Sequence, residues 1–133
     1  MREYQLPRTN QADLVFVGQR IALADTFYSR RKQANWLELG LYRTTEETYV
    51  MHATLHVHDP TAGSPLSRAL VFTTARDLVG YFRSQTHDFG GLKERILQSA
   101  ARQDSGIDQG LRTSGAVLSG EEMDYWKAVL RSE

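Results

Sequence analysis

The chain of 133 residues contains no cysteine, which excludes disulfides, thiol nucleophiles, iron–sulfur clusters and every zinc site that needs thiolate. It also lacks net charge, with 16 Lys/Arg against 16 Asp/Glu, so it has none of the global field that marks a dedicated nucleic-acid or membrane binder. No uninterrupted aliphatic or aromatic run exceeds four residues, as in Leu14 to Val17 and Ala69 to Phe72. Neither a signal peptide nor a membrane-spanning helix can be built from such runs. The amino-terminal Met1-Arg2-Glu3-Tyr4-Gln5-Leu6-Pro7 has no apolar h-region. Together with the missing cysteines, this predicts a cytoplasmic protein without a membrane partner. Motifs of catalysis are missing too: there is no Gly-x-Ser-x-Gly elbow, no nucleophile with a base at an interpretable spacing and no carboxylate pair. The sequence therefore assigns no catalytic residue and no cofactor.

What is present is enough apolar material for one core, 41% of the chain, and the length of one ordinary domain. The expected organisation is a single domain over residues 1–133. An irregular lead-in (1–12) precedes a sheet (13–73) and a helical part (74–133). Charge is uneven within it: residues 1–33 hold six of the 16 Lys/Arg but three of the 16 Asp/Glu, so the first quarter is mildly basic.

The clearest signal lies between Trp36 and Asp59. Leu37, Leu39 and Leu41 alternate with Trp36, Glu38 and Tyr42, and after the turn Thr44-Thr45-Glu46-Glu47 a second alternation runs from Thr48 to His58. Period 2 is the signature of a strand with two unlike faces, so this stretch predicts a half-buried antiparallel hairpin. An earlier strand is expected over Asp13 to Phe27, with Val15, Val17, Ile21 and Leu23 on one side and a bulge at Gly18. Residues 58–67, with Pro60, Gly63 and Pro65, leave regular structure, and a fourth strand follows over Arg68 to Thr73.

Helical signals come next. Thr74 is an N-cap with Asp77 at N3, and Leu78, Val79, Tyr81 and Phe82 supply an apolar face for a helix over 75–84. Gly90-Gly91 opens a second helix carrying Leu92, Ile96, Leu97 and Ala100, ending near Gln103. Asp104 to Leu118, with Gly106, Gly110 and Gly115, is the least periodic segment and reads as a loop or frayed turn. Ser119 and Glu122 form a capping box for a terminal helix with Met123, Trp126, Val129 and Leu130 as its stripe. Strands followed by helices define an α+β class: a four-stranded antiparallel meander-type sheet with two to three C-terminal helices packed on one face.

If helices cover the leucine face, the opposite face presents Trp36, Glu38, Tyr42, His52, His56 and His58, joined by Arg20 and Phe16 from the preceding strand. Aromatic and basic groups on a sheet surface suit a protein partner, a second copy of the chain, or stacked unpaired bases. Arg30, Arg31 and Lys32 at a hairpin tip are the candidates for phosphate contacts, although no RNP-like motif accompanies them. The bland counterpart is a solvated tip and aromatics covered by another segment. His56 and His58 point the same way on one strand and are two candidate metal ligands. His52, roughly 13 Å back along a strand rising ~3.3 Å per residue, is too far to join them. Asp59, His87 and Asp88 are the available third ligands, and a site needs three or four. Gly90-Gly91 and the Gly110 to Gly115 spacing lack the rest of a phosphate loop and read as punctuation.

The run Trp36-Leu37-Glu38-Leu39-Gly40-Leu41-Tyr42-Arg43-Thr44, followed by Tyr49-Val50, resembles a hairpin of uncharacterised small bacterial proteins often encoded on plasmids and other mobile elements. The resemblance covers roughly residues 35–51. In that pattern a glycine commonly occupies the turn, where this chain has Glu46-Glu47. The resemblance implies a bacterial cytoplasmic setting and work beside nucleic-acid machinery, and it carries no catalytic residue. The expected function is that of a non-enzymatic interaction module, accessory or inhibitory to such machinery. Direct RNA or single-stranded DNA binding is the second reading, and a small metal-dependent or acid-base enzyme using His56 and His58 the third.

Overall fold

A computed structural model of the chain describes residues 1–25, 36–56, 66–84 and 91–113. Among these residues five strands precede three helices: β1 (Arg2–Arg8), β2 (Gln11–Asp25), β3 (Trp36–Thr44), β4 (Tyr49–His56), β5 (Leu66–Phe72), α1 (Ala75–Ser84), α2 (Leu92–Gln103) and α3 (Ser105–Thr113). The strands form one antiparallel sheet in the order β1-β2-β3-β4-β5. The α+β class, the meander and the helices after the sheet agree with the sequence reading.

The β3–β4 hairpin pairs Trp36 with His56, Leu39 with Ala53 and Arg43 with Tyr49. Its alternation therefore sorts two faces as expected. One face is the main core, where Leu39, Leu41, Met51 and Leu55 meet Leu78, Tyr81, Phe82, Ile96, Leu97 and Ile107 from the helices. Each such fully buried apolar side chain contributes about 1.5–3 kcal/mol through removal from water. The turn closes through Thr44, whose hydroxyl accepts the N–H groups of Glu46 and Thr48, both at 3.2 Å. Glu47 adopts φ 64° there, a left-handed conformation in which glycine has no Cβ to hinder it.

Four expectations change. Residues 1–12 are not an irregular lead-in: Arg2–Arg8 is a fifth strand, paired with β2 from Arg2↔Gly18 to Arg8↔Gln11. Tyr4 and Leu6 alternate with Glu3 and Gln5, and Pro7 is tolerated because β1 is an edge. The irregularity in β2 is not at Gly18 but between Arg20 and Ala22. It lets Ile21 and Ala22 both be buried while Val15, Val17 and Leu23 are exposed, so Val15, Val17, Ile21 and Leu23 do not share one apolar side. Gly18 has a different role: a Cβ there would collide with the Arg43 carbonyl oxygen on β3. Finally, the segment after Asp104 is helical through Thr113. Residues 114–118 of the expected loop and the terminal helix carrying Met123 and Trp126 lie outside the described residues.

The sheet curls. Strand β1 crosses the face opposite the helices and reaches β5, where Thr9 N–H donates to the Ser67 carbonyl at 2.9 Å and Ser67 N–H donates to the Thr9 hydroxyl at 2.7 Å. Beneath it a second small core forms from Leu6, Tyr42 and Val50, with Tyr4, Leu14, Phe16 and Ala69 packed against it.

Candidate interaction surface

The residues expected to share one exposed face are divided by this curl. Tyr42 is only 6% exposed, with Tyr4 and Phe16 at ring-centroid distances of 4.9 and 5.5 Å in edge-on geometry. Gly40 makes room for it, since a Cβ there would lie 3.1 Å from the Tyr42 ring. Burial raises the Tyr42 phenol pKa, opposed by the Arg20 charge. Tyr42 is thus a core residue in its own fold, with almost no surface to offer. Arg20 is exposed beside it and holds the Tyr4 hydroxyl on its backbone N–H at 3.1 Å. The His52 Nε2–H donates to the Pro7 carbonyl at 2.8 Å, which makes His52 a latch for β1.

At the other end of β3, about 20 Å from Tyr42 at ~3.3 Å per residue, lies a different, partly exposed group. Trp36 and His56, direct partners in the ladder, stack with centroids 3.9 Å apart and planes 16° apart. The His56 Nε2–H faces the Glu38 carboxylate at 3.3 Å, with both side chains about one-third exposed (29% and 35%). Strand pairing brings these three together on one face, and the stack with its carboxylate partner restricts the ring of His56. The result is a flat aromatic plate with a polar rim.

The metal reading gains little. Among the described residues no group of three His, Cys, Asp or Glu side chains is placed to hold an ion. His56 is engaged with Glu38 and Trp36, while His58, Asp59, His87 and Asp88 lie outside the described residues. So do the phosphate candidates Arg30, Arg31 and Lys32. Gly110 serves packing, because a Cβ there would press on Val79 and the Ala75 carbonyl of α1.

One polar cluster was missed by the sequence reading. Asp104, 4% exposed, accepts the Ile107 N–H at 3.0 Å as N-cap of α3, the Tyr49 hydroxyl at 2.9 Å and the Arg43 guanidinium at 3.0 Å. Burial, then the hydrogen bond to Asp104 and its charge, push the Tyr49 phenol up to about 12. The neighbouring Tyr49 raises the Arg43 pKa further, assisted by Asp104. A legible signal existed: Asp followed by Ser-Gly-Ile is an N-cap pattern, overshadowed by Gly106 and Gly110. With every Asp104 bond directed into the fold, the cluster ties α3 to the β3–β4 hairpin.

No helix among the described residues is long and apolar enough to cross a membrane. Comparison with protein-family models, curated proteins and solved structures finds no match.

Proposed function

We propose that this chain is a non-enzymatic protein-interaction module of the bacterial cytoplasm, accessory or inhibitory to nucleic-acid-handling machinery. The observation that carries this reading is the Trp36–His56 plate with Glu38 at its edge. A stacked, hydrogen-bonded aromatic is ordered before any partner arrives, so little side-chain entropy remains to be lost on binding. Large aromatic anchors of this kind dominate interface energetics. The setting beside nucleic-acid machinery is supported by the resemblance of residues 35–51 to hairpins of mobile-element proteins.

Of the face first expected, Trp36, Glu38 and His56 supply the anchor. Tyr42 is enclosed in the small core, His52 is held by the Pro7 carbonyl, and Arg20 lies beside Tyr42, so these three are not part of the plate. The test is capture of material from the native host with and without nuclease. A specific protein retained after nuclease supports the reading. Trp36→Ala is expected to weaken that capture at least about tenfold, the scale of a central aromatic anchor. Undiminished capture by Trp36→Ala rejects the assignment of this surface.

A second reading, direct RNA or single-stranded DNA binding, is favoured by the same stack, since a base can lie on a fixed ring face. It predicts nucleic acid as the retained material and affinity that falls steeply with salt. Neutralising Arg30, Arg31 and Lys32 would flatten that dependence.

A further inference from the structure

At the turn end of the β3–β4 hairpin, opposite in direction from the Trp36 plate, a cavity of about 310 Å³ opens between β2, β5 and the turn. Its walls include Leu14, Phe16, Val50 and Val71, and its rim includes Thr48 and Glu46. Six large hydrophobic residues are exposed among the described residues, and three of them, Val15 (54%), Val17 (44%) and Val71 (57%), line this one cavity. Scattered exposed valines need no explanation, whereas their concentration around a concavity marks a binding site.

The polar lining narrows the ligand. The Thr44 hydroxyl already accepts the Glu46 and Thr48 N–H groups and pairs with the Thr48 hydroxyl at 2.7 Å. These hydroxyls are therefore engaged within the turn. Among the described residues Glu46 is the sole charged side chain in the lining, and the neighbouring Arg43 is engaged with Asp104 and Glu47 instead. An anion entering here would meet a carboxylate that no described cation neutralises. We propose that the cavity binds a compact apolar amine, its aromatic or branched aliphatic body against Phe16 and Val71 and its ammonium toward Glu46. The volume fits a single ring and lies at the lower end of small-ligand pockets.

The probes are benzylamine, benzyl alcohol and benzoate, titrated into the full chain while valine methyl resonances are followed by NMR. Benzylamine is expected to bind in the millimolar range with saturable shifts at Val15, Val17, Val50 and Val71, benzyl alcohol more weakly and benzoate most weakly. Glu46→Gln should reduce benzylamine to the level of benzyl alcohol, about a threefold to fivefold loss, as befits an exposed ion pair. Val71→Lys, at an exposed position that tolerates the change, should abolish saturation while circular dichroism stays native. Trp36→Ala should leave benzylamine binding unchanged, since the plate lies at the other end of the hairpin. Absence of saturable shifts with all three probes overturns the proposal. So does benzoate binding as tightly as benzylamine, or shifts that centre elsewhere.

Discussion

Tyr49 shows how a single side chain links the sheet to pH. Its phenol titrates near 10 in an unfolded chain and is pushed up to about 12 in the fold, first by burial and then by Asp104. The native state therefore holds this proton more tightly than the unfolded state. The corresponding stability is complete below pH 10 and is lost as pH rises through 10 toward 12. Chemical denaturation across that range is expected to show an alkaline decline that Tyr49→Phe flattens. At neutral pH the same variant is expected to cost about 1 kcal/mol, the net value of one hydrogen bond. An alkaline decline unchanged in Tyr49→Phe would assign it to other groups. The residue scale was only partly legible in the sequence. The alternation of Tyr49, Met51, Ala53 and Leu55 with Val50, His52 and Thr54 puts Tyr49 on the core face, but its acceptor is 55 positions away, beyond any local pattern.

Elements form where local pattern and packing agree, and α3 is the case where they conflict. Gly106 and Gly110 lower helix propensity, yet a Cβ at either would meet the Tyr49 hydroxyl or Val79. The glycines are therefore signs of close packing, and they concealed the helix they belong to. Asp104 holds its start. Asp104→Ala removes the cap and leaves the buried Tyr49 hydroxyl unpaired, so a loss of about 2–4 kcal/mol is expected. Amide exchange should accelerate through Ser105–Thr113 more than through β3 and β4. Asp104→Asn retains a capping oxygen and should recover part of the loss. Uniform acceleration over the whole chain in both variants would contradict this local role. By contrast β3, β4, α1 and α2 carry unbroken apolar periodicity, which is why their limits are readable without tertiary information.

At the scale of the whole molecule, the curl decides which surface is open. Leu6 anchors β1 over Tyr42 and Val50, with His52, Thr9 and Ser67 pinning the strand by hydrogen bonds. Leu6→Ala is expected to destabilise the fold by about 2–3 kcal/mol, toward the lower end for buried leucines because the site lies at an edge. Exchange of β1 amides should rise well before that of the helices, since the main core has no part in this contact. Cooperative loss of both regions together would show that the small core is not separable. The candidate surface is divided by the same curl: Trp36 and Glu38 are partly exposed, whereas Tyr42 is covered.

The sequence alone determined the hairpin, its two faces, the α+β order and the first two helices, because those properties rest on contacts and periodicities within a few residues. The missing cysteines and the even charge likewise bounded the chemistry. Only the tertiary structure decided that Arg2–Arg8 is a strand, that Asp104 joins α3 to Arg43 and Tyr49, and that valines gather around one cavity. Each of these depends on chain segments far apart in sequence meeting as the sheet curls. No local pattern encodes how far a sheet curls, because curvature is set jointly by the Ile21 irregularity, the Gly18 approach and the packing on both faces.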